Sequence, residues 1–182
     1  MIRLFVAIDL PAAVAVMLEE ICRGLRGARW VSTEQLHLTL RFIGEVDGGL
    51  FREIREELAG VEAEAFSLRL AGLGCFPPRK APRVLWAGVE PAGRGLIAVR
   101  NRVESCLARL DIEPEGRKYA PHITIARLAD TPLAELTRYL SANGLFATEE
   151  FMVREFHLYS SRLTPKGAVH SIEASYGLTG GE

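Results

Sequence analysis

Apolar residues fall into two alternating rhythms along this chain. Stretches with every second position apolar, or apolar throughout, predict strands at Leu4–Ile8, Leu36–Ile43, Phe66–Leu73, Val84–Val89, His122–Ala126, Phe151–Tyr159 and Ala168–Tyr176. Between them, apolar residues recur every three or four positions. Val14, Met17, Leu18, Ile21 and Leu25 share one helical face, as do Leu96, Val99, Val103, Leu107 and Leu110. These faces predict helices over Pro11–Leu25 and Gly93–Leu110. Two more are predicted over Gly49–Leu58 and Pro132–Ser141. Proline suits a first helical turn, where its missing N–H has no intrahelical partner to lose.

The first half reads strand, helix, strand, helix, strand. From Arg83 the same order returns, with one further strand at the end. This is a repeat of whole half-chains, far longer than a solenoid period. Between the halves, Phe76-Pro77-Pro78-Arg79-Lys80-Ala81-Pro82-Arg83 is rich in proline and basic residues. It reads as a stiff, exposed connector. Either it merely links two lobes, or it forms a basic lip over a cleft.

The most informative signal lies inside the repeat. His37-Leu38-Thr39-Leu40 recurs as His122-Ile123-Thr124-Ile125. Side chains alternate across a strand, so His and Thr share one face while the apolar residues point to a core. Two of the four histidines therefore carry a Thr partner two positions on. Two such strands would aim two imidazoles and two hydroxyls at one cleft. Imidazole titrates at about 6.5, so one ring can give a proton while the other takes one. Threonine hydroxyls can donate to phosphoryl oxygens. This set suits the opening of a cyclic phosphodiester by water. His37 and His122 would be catalytic, and Thr39 and Thr124 would bind substrate. No metal and no other cofactor is required, and neither motif has a nearby HxH or ExxH to hold a metal.

Arg41 shares the His37–Thr39 face by strict alternation. Arg127 falls on the opposite face from His122 by the same rule. A strand end, a bulge or its own length would return it to the cleft mouth as a phosphate clamp. Trp30, Phe42 and Tyr119 are suited either to stacking on a base or to ordinary core packing. His157 and His170 lack a Thr partner and read as structural.

Bulk properties narrow the class. A chain of 182 residues suits one domain with room for two lobes. With 22 basic against 23 acidic residues there is no global field for a polyanion, so a nucleic acid must be held by a local patch. Three scattered cysteines without a CxxC predict reduced thiols and a cytoplasmic protein. Asp9 and Pro11 interrupt the apolar N-terminus, which reads as a strand and a helix rather than a secretory leader. No apolar run approaches the ~20 residues of a membrane span, so no membrane partner is expected. Nothing suggests an obligate interface, and a monomer is expected.

At these residues the chain resembles the bacterial and archaeal RNA 2′,3′-cyclic phosphodiesterase (2′-5′ RNA ligase) family of the two-histidine phosphoesterase superfamily. The resemblance spans nearly the whole chain. It runs from Arg3-Leu4-Phe5-Val6-Ala7-Ile8 through Trp30-Val31, Gln35 to Val46, Phe76-Pro77 and Arg83 to Val89. It continues in Pro121-His122-Ile123-Thr124-Ile125-Ala126-Arg127 and ends at Leu158-Tyr159-Ser160-Ser161-Arg162-Leu163. It implies an α+β fold: two pseudo-symmetric lobes, each an antiparallel sheet with helices on its outer face, around a central cleft. Residues 1–182 would form one bilobed domain with approximate halves 1–80 and 81–182. It further implies hydrolysis of RNA 2′,3′-cyclic phosphate ends, tRNA fragments among them, to 2′-phosphate ends, with weak, ATP-independent, reversible 2′-5′ joining. Carried over, His37 is the general acid on the departing 3′ oxygen and His122 the general base on water, while Thr39, Thr124 and Arg127 bind phosphate. Two alternatives stay open: a cyclic phosphodiesterase acting on a small nucleotide, and a non-catalytic module that binds RNA or nucleotide.

Overall fold

A computed structural model describes residues 1–78, 80–90, 93–165 and 167–180. The elements follow in the order β1 (Ile2–Asp9), α1 (Ala12–Ile21), β2 (Ala28–Trp30), β3 (His37–Val46), α2 (Gly48–Leu58), β4 (Phe66–Phe76) and β5 (Val84–Glu90). The second half continues with α3 (Arg94–Ala108), β6 (His122–Leu128), α4 (Leu133–Ala142), β7 (Phe151–Val153), β8 (Glu155–Thr164) and β9 (Gly167–Gly177). A short 3₁₀ turn, Thr33–Gln35, leads into β3. The helices start where local chemistry favours them. Pro11 and Pro132 precede α1 and α4, and the Asp47 carboxylate accepts from the N–H groups of Gly49 (2.7 Å) and Leu50 (2.9 Å) to cap α2.

Two predicted elements differ. The first helix ends at Ile21 rather than Leu25, because Gly24 and Gly27 adopt positive φ and turn the chain into β2. At Gly27 any Cβ would sit 2.2 Å from the Ala129 carbonyl oxygen. The expected strand 151–159 is two strands broken at Arg154. β7 pairs with β4, whereas β8 pairs with β1 and β9.

The antiparallel sheet runs β7-β4-β5-β6-β3-β1-β8-β9, with β2 added beside β6. β7 and β8 lie far apart in that order yet are joined by one residue, so the sheet must curl round on itself. The two halves of the chain exchange strands across it: β4 of the first half joins β5 and β6, and β8 and β9 of the second join β1 and β3. The halves of the sheet are therefore not residues 1–80 and 81–182. Phe76-to-Arg83, read from sequence as a link between lobes, is the loop of the β4–β5 hairpin, where Phe76 pairs with Val84. Arg79 of its basic run lies outside the described residues.

One face of the sheet carries the core. Leu4, Val6 and Ile8 of β1, Leu38 and Leu40 of β3, and Ile123 and Ile125 of β6 pack against helix residues such as Leu18, Ile54, Val99 and Leu107. The alternate strand positions face the cleft. Among the described residues, no helix is long and apolar enough to cross a membrane.

Candidate active site

β3 and β6 lie antiparallel at the centre of the sheet, with Leu38 opposite Ile123. One step to either side, this register sets His37 beside Thr124 and Thr39 beside His122. Leu38 and Ile123 are buried in the core, so the four polar side chains belong to the opposite face. A local twofold thus relates the two motifs.

At the last residue of each motif the strand gains one residue. Against β1, Arg41 pairs with Val6 and Thr39 with Ala7, leaving Leu40 extra. Against β5, Ala126 pairs with Leu85 and Thr124 with Trp86, leaving Ile125 extra. These are β-bulges at equivalent places, and each reverses the alternation beyond it. The consequence for Arg41 is a correction. It does not share the His37–Thr39 face. It is 6% exposed and turned to the core, where it pairs with Glu104 (3.2 Å) and Glu115 (3.6 Å) and donates to the carbonyls of Phe42 and Glu113. Phe42 takes the cleft position instead. The same device in β6 carries Arg127 to the cleft, by the bulge that sequence left as one option among three.

Each catalytic candidate is held by the same contact. His37 Nδ1 donates to the Gln35 carbonyl at 2.7 Å, and His122 Nδ1 donates to the Ala120 carbonyl at 2.7 Å. A carbonyl only accepts, so Nδ1 carries the proton and Nε2 is left for chemistry. His37 packs on Phe5 with ring centroids 4.9 Å apart, and Phe5 stacks on Tyr159. Tyr159 donates to the Asp9 carboxylate. Burial holds the pKa of His37 below its ordinary 6.5, and its own hydrogen bond to Gln35 opposes that fall. A charge on His122 would lower it further, so the two rings disfavour being cationic together.

His122 meets the edge of Phe76 (5.1 Å) and lies 6.3 Å from Trp86. Trp86 fits only because Gly74 faces it across the β4–β5 pair; a Cβ there would meet the indole at 2.2 Å. Gly74→Ala is therefore expected to cost about 1–3 kcal/mol through overpacking and to lower turnover by displacing Trp86 from His122. Thermal unfolding and kcat on one preparation would check this; wild-type values for both would show that the indole can move freely.

The resulting cleft is about 650 Å³, within the usual range for a nucleotide-sized ligand. Both His–Thr pairs, Phe42 and Arg127 line it. Among its described lining residues there is no carboxylate. Trp30 also lines it while packing on Tyr139 at 5.9 Å. Tyr119 does not: it is turned inward, under Arg100 (5.2 Å), with its hydroxyl donating to the Thr39 carbonyl (2.9 Å). His157 stays inside the sheet, with Nδ1 2.8 Å from the Ser175 hydroxyl.

His170 departs from its structural reading. It lines the cleft from the β8–β9 hairpin, edge-on to His37 at 5.4 Å. Its Nδ1 is buried without a hydrogen-bond partner among the described residues, and burial lowers its pKa. Arg29 is a second lining residue that sequence did not single out. Neither lies in a motif, and both reach the cleft through strand pairings between distant segments.

The model of the LigT-like phosphoesterase family matches the chain twice, over residues 8–86 and 88–170. The chain belongs to that family. The two LigT-like matches follow the internal repeat, one per His–Thr strand. The chain is 36% identical to the RNA 2′,3′-cyclic phosphodiesterase of Thermotoga maritima over 176 residues, spanning 93% of this chain and 92% of that protein. It is 33% identical to the protein of that name from Archaeoglobus fulgidus over 173 residues, 92% of this chain and 96% of the other. Among solved structures, TT0787 of Thermus thermophilus superposes with a TM-score of 0.81 at 31% identity, covering 99% of this chain and all of that one. LigT of E. coli bound to 3′-AMP superposes at 0.80 with 29% identity, covering 98% and 99%. The curled antiparallel sheet with α1 to α4 is thus the LigT-like α+β fold.

Proposed function

We propose that this chain hydrolyses 2′,3′-cyclic phosphate ends of RNA to 2′-phosphate ends by acid–base catalysis between His37 and His122. The carrying observation is the symmetric pair of histidines. Each is tied through Nδ1 to a backbone carbonyl, leaving two Nε2 atoms for one cleft without a carboxylate among its described lining residues. The names of the relatives above support the substrate class. E. coli LigT has also been solved with ATP, which supports a cleft that takes nucleotides.

In the proposed reaction, His122 Nε2 takes a proton from water as its oxygen attacks phosphorus. The P–O3′ bond breaks, and His37, protonated on Nε2 as well once the phosphate anion is bound beside it, delivers that proton to the departing 3′ oxygen. The Thr39 and Thr124 hydroxyls and Arg127 hold non-bridging oxygens and stabilise the charge that develops there. With the 5′ hydroxyl of a second RNA end attacking in place of water, the same groups form a P–O5′ bond as P–O3′ breaks, which is weak 2′-5′ ligation; in reverse the 3′ hydroxyl attacks, the 5′ oxygen departs and the two histidines exchange roles. The balance of atoms calls for no metal. We also infer a monomeric, cytoplasmic protein; the free thiols of Cys22, Cys75 and Cys106 support a reducing compartment.

The deciding experiment incubates the protein with RNA ending in a 2′,3′-cyclic phosphate in excess EDTA and resolves the 2′- and 3′-phosphate products. A 2′-phosphate product supports the reading. Loss of activity with chelator, restored by a divalent ion, would sink the metal-free step.

The depressed pKa of His37 has a pH signature. The free cleft holds it neutral near pH 7, and a phosphate anion beside Nε2 raises its pKa. Binding of a 2′-phosphate product should therefore take up a proton. Affinity should rise as pH falls, through the window between the raised bound-state pKa and the free value below 6.5. Titration calorimetry in two buffers of different ionisation heat would measure the uptake. An uptake that persists in His37→Ala would move the effect to another group.

A further inference from the structure

Two arginines stand opposite each other in the lining of the cleft. Arg29 of β2 is paired directly with Arg127 of β6, so their side chains leave the sheet on one face, with Cβ atoms ~5 Å apart. Both line the cleft. Like charges placed opposite each other across strands are destabilising, and neither arginine has a carboxylate partner among the described residues. Five other arginines, Arg26, Arg41, Arg69, Arg100 and Arg109, do have one; what sets Arg29 and Arg127 apart is that they stand opposite each other in the cleft lining. In a chain of net charge −1, this leaves two uncompensated guanidinium groups at one end of a cleft whose described lining has no acid. Such an arrangement is stable when an anion lies between the forks.

Arg29 is the outer member of the pair: Arg127 stands on β6 with His122 and Thr124, whereas Arg29 stands on β2, the strand added beside β6. Between Arg29 and His37 the cleft wall includes the polar Ser32 and Gln35 together with Trp30 and Val31. We propose that Arg29, beside the Arg127 that holds the reacting phosphate, forms a subsite for the RNA phosphodiester adjacent to the cyclic phosphate end, and so selects a strand over a mononucleotide. This rests on the RNA reading above.

The test compares Arg29→Gln with wild type on two substrates: a nucleoside 2′,3′-cyclic phosphate, which has one phosphate, and an RNA oligonucleotide ending in the same cyclic nucleotide. The oligonucleotide-to-mononucleotide ratio of kcat/KM should fall about tenfold, and the salt dependence of oligonucleotide KM should lose about one unit of slope. Arg29→Lys, which keeps the charge but not the fork, should recover part of the ratio. An unchanged ratio, including an equal loss on both substrates, would overturn the subsite. Should wild type turn over neither substrate, the reaction reading fails and binding decides. Dissociation constants for an RNA with a 2′-phosphate end and for the matching nucleoside 2′-phosphate would then be compared. A tenfold loss of oligonucleotide preference in Arg29→Gln supports the subsite, and an unaltered preference overturns it.

Discussion

Alanine in place of either His37 or His122 is expected to lower kcat on an RNA cyclic-phosphate end by about 10²–10⁴-fold, the usual contribution of a positioned general acid or base. KM should change much less, because the proposed phosphate ligands Thr39, Thr124 and Arg127 remain in place. The roles can then be separated by the leaving group. In a substrate whose bridging 3′ oxygen is replaced by sulfur, the departing thiolate has a conjugate acid near ~8.5 and needs no proton. His37→Ala should recover most of its deficit on that substrate, whereas His122→Ala, lacking the base for water, should not. Recovery in His122→Ala instead would exchange the two assignments. Near-wild-type turnover of His37→Ala on the ordinary substrate would remove His37 from the site.

The largest expected effect on stability is at Arg41. Its side chain is 7% exposed and faces Glu104 at 14%. Arg100 shares Glu104 at 3.1 Å and covers Tyr119. Removing one member of a buried charge network leaves the others desolvated and incompletely paired, at a cost of about 3–5 kcal/mol. For a chain of this size that is a fall in Tm on the order of 10 °C. Arg41→Ala should show it in thermal unfolding, and Arg41→Met with Glu104→Met should recover part of it, because the buried Glu104 carboxylate is removed together with Arg41 and only the more exposed Arg100 and Glu115 lose a partner. Catalysis should suffer as well. Arg41 holds the Glu113 carbonyl and the Glu115 carboxylate, and that segment leads to Ala120, whose carbonyl orients His122. A Tm within ~2 °C of wild type would mean that water replaces the guanidinium there at little cost.

Arg41 also shows where sequence reasoning stops. Alternation places it beside His37 and Thr39, and only the extra residue at Leu40 turns it to the core. A bulge depends on what the partner strand offers, so nothing local in Leu40-Arg41-Phe42 announces it. The same applies to Arg127, which alternation alone places on the wrong face.

Much else was legible from the chain by itself. An element that buries one face must repeat its apolar residues at the period of its backbone, so strands and helices can be located by pattern. The two His–Thr strands were visible because alternation over a few residues needs no partner. The repeat was visible because both halves face the same packing problem. The tertiary structure decided the rest. It exchanged β4 with β8 and β9 between the halves and turned the apparent connector into a hairpin loop. It split one apolar run between β7 and β8 at distant places in a curled sheet, and it brought His170 and Arg29 to the cleft. Each of these depends on pairing between residues far apart in the chain, where the free energy is set by contacts that only the closed sheet makes.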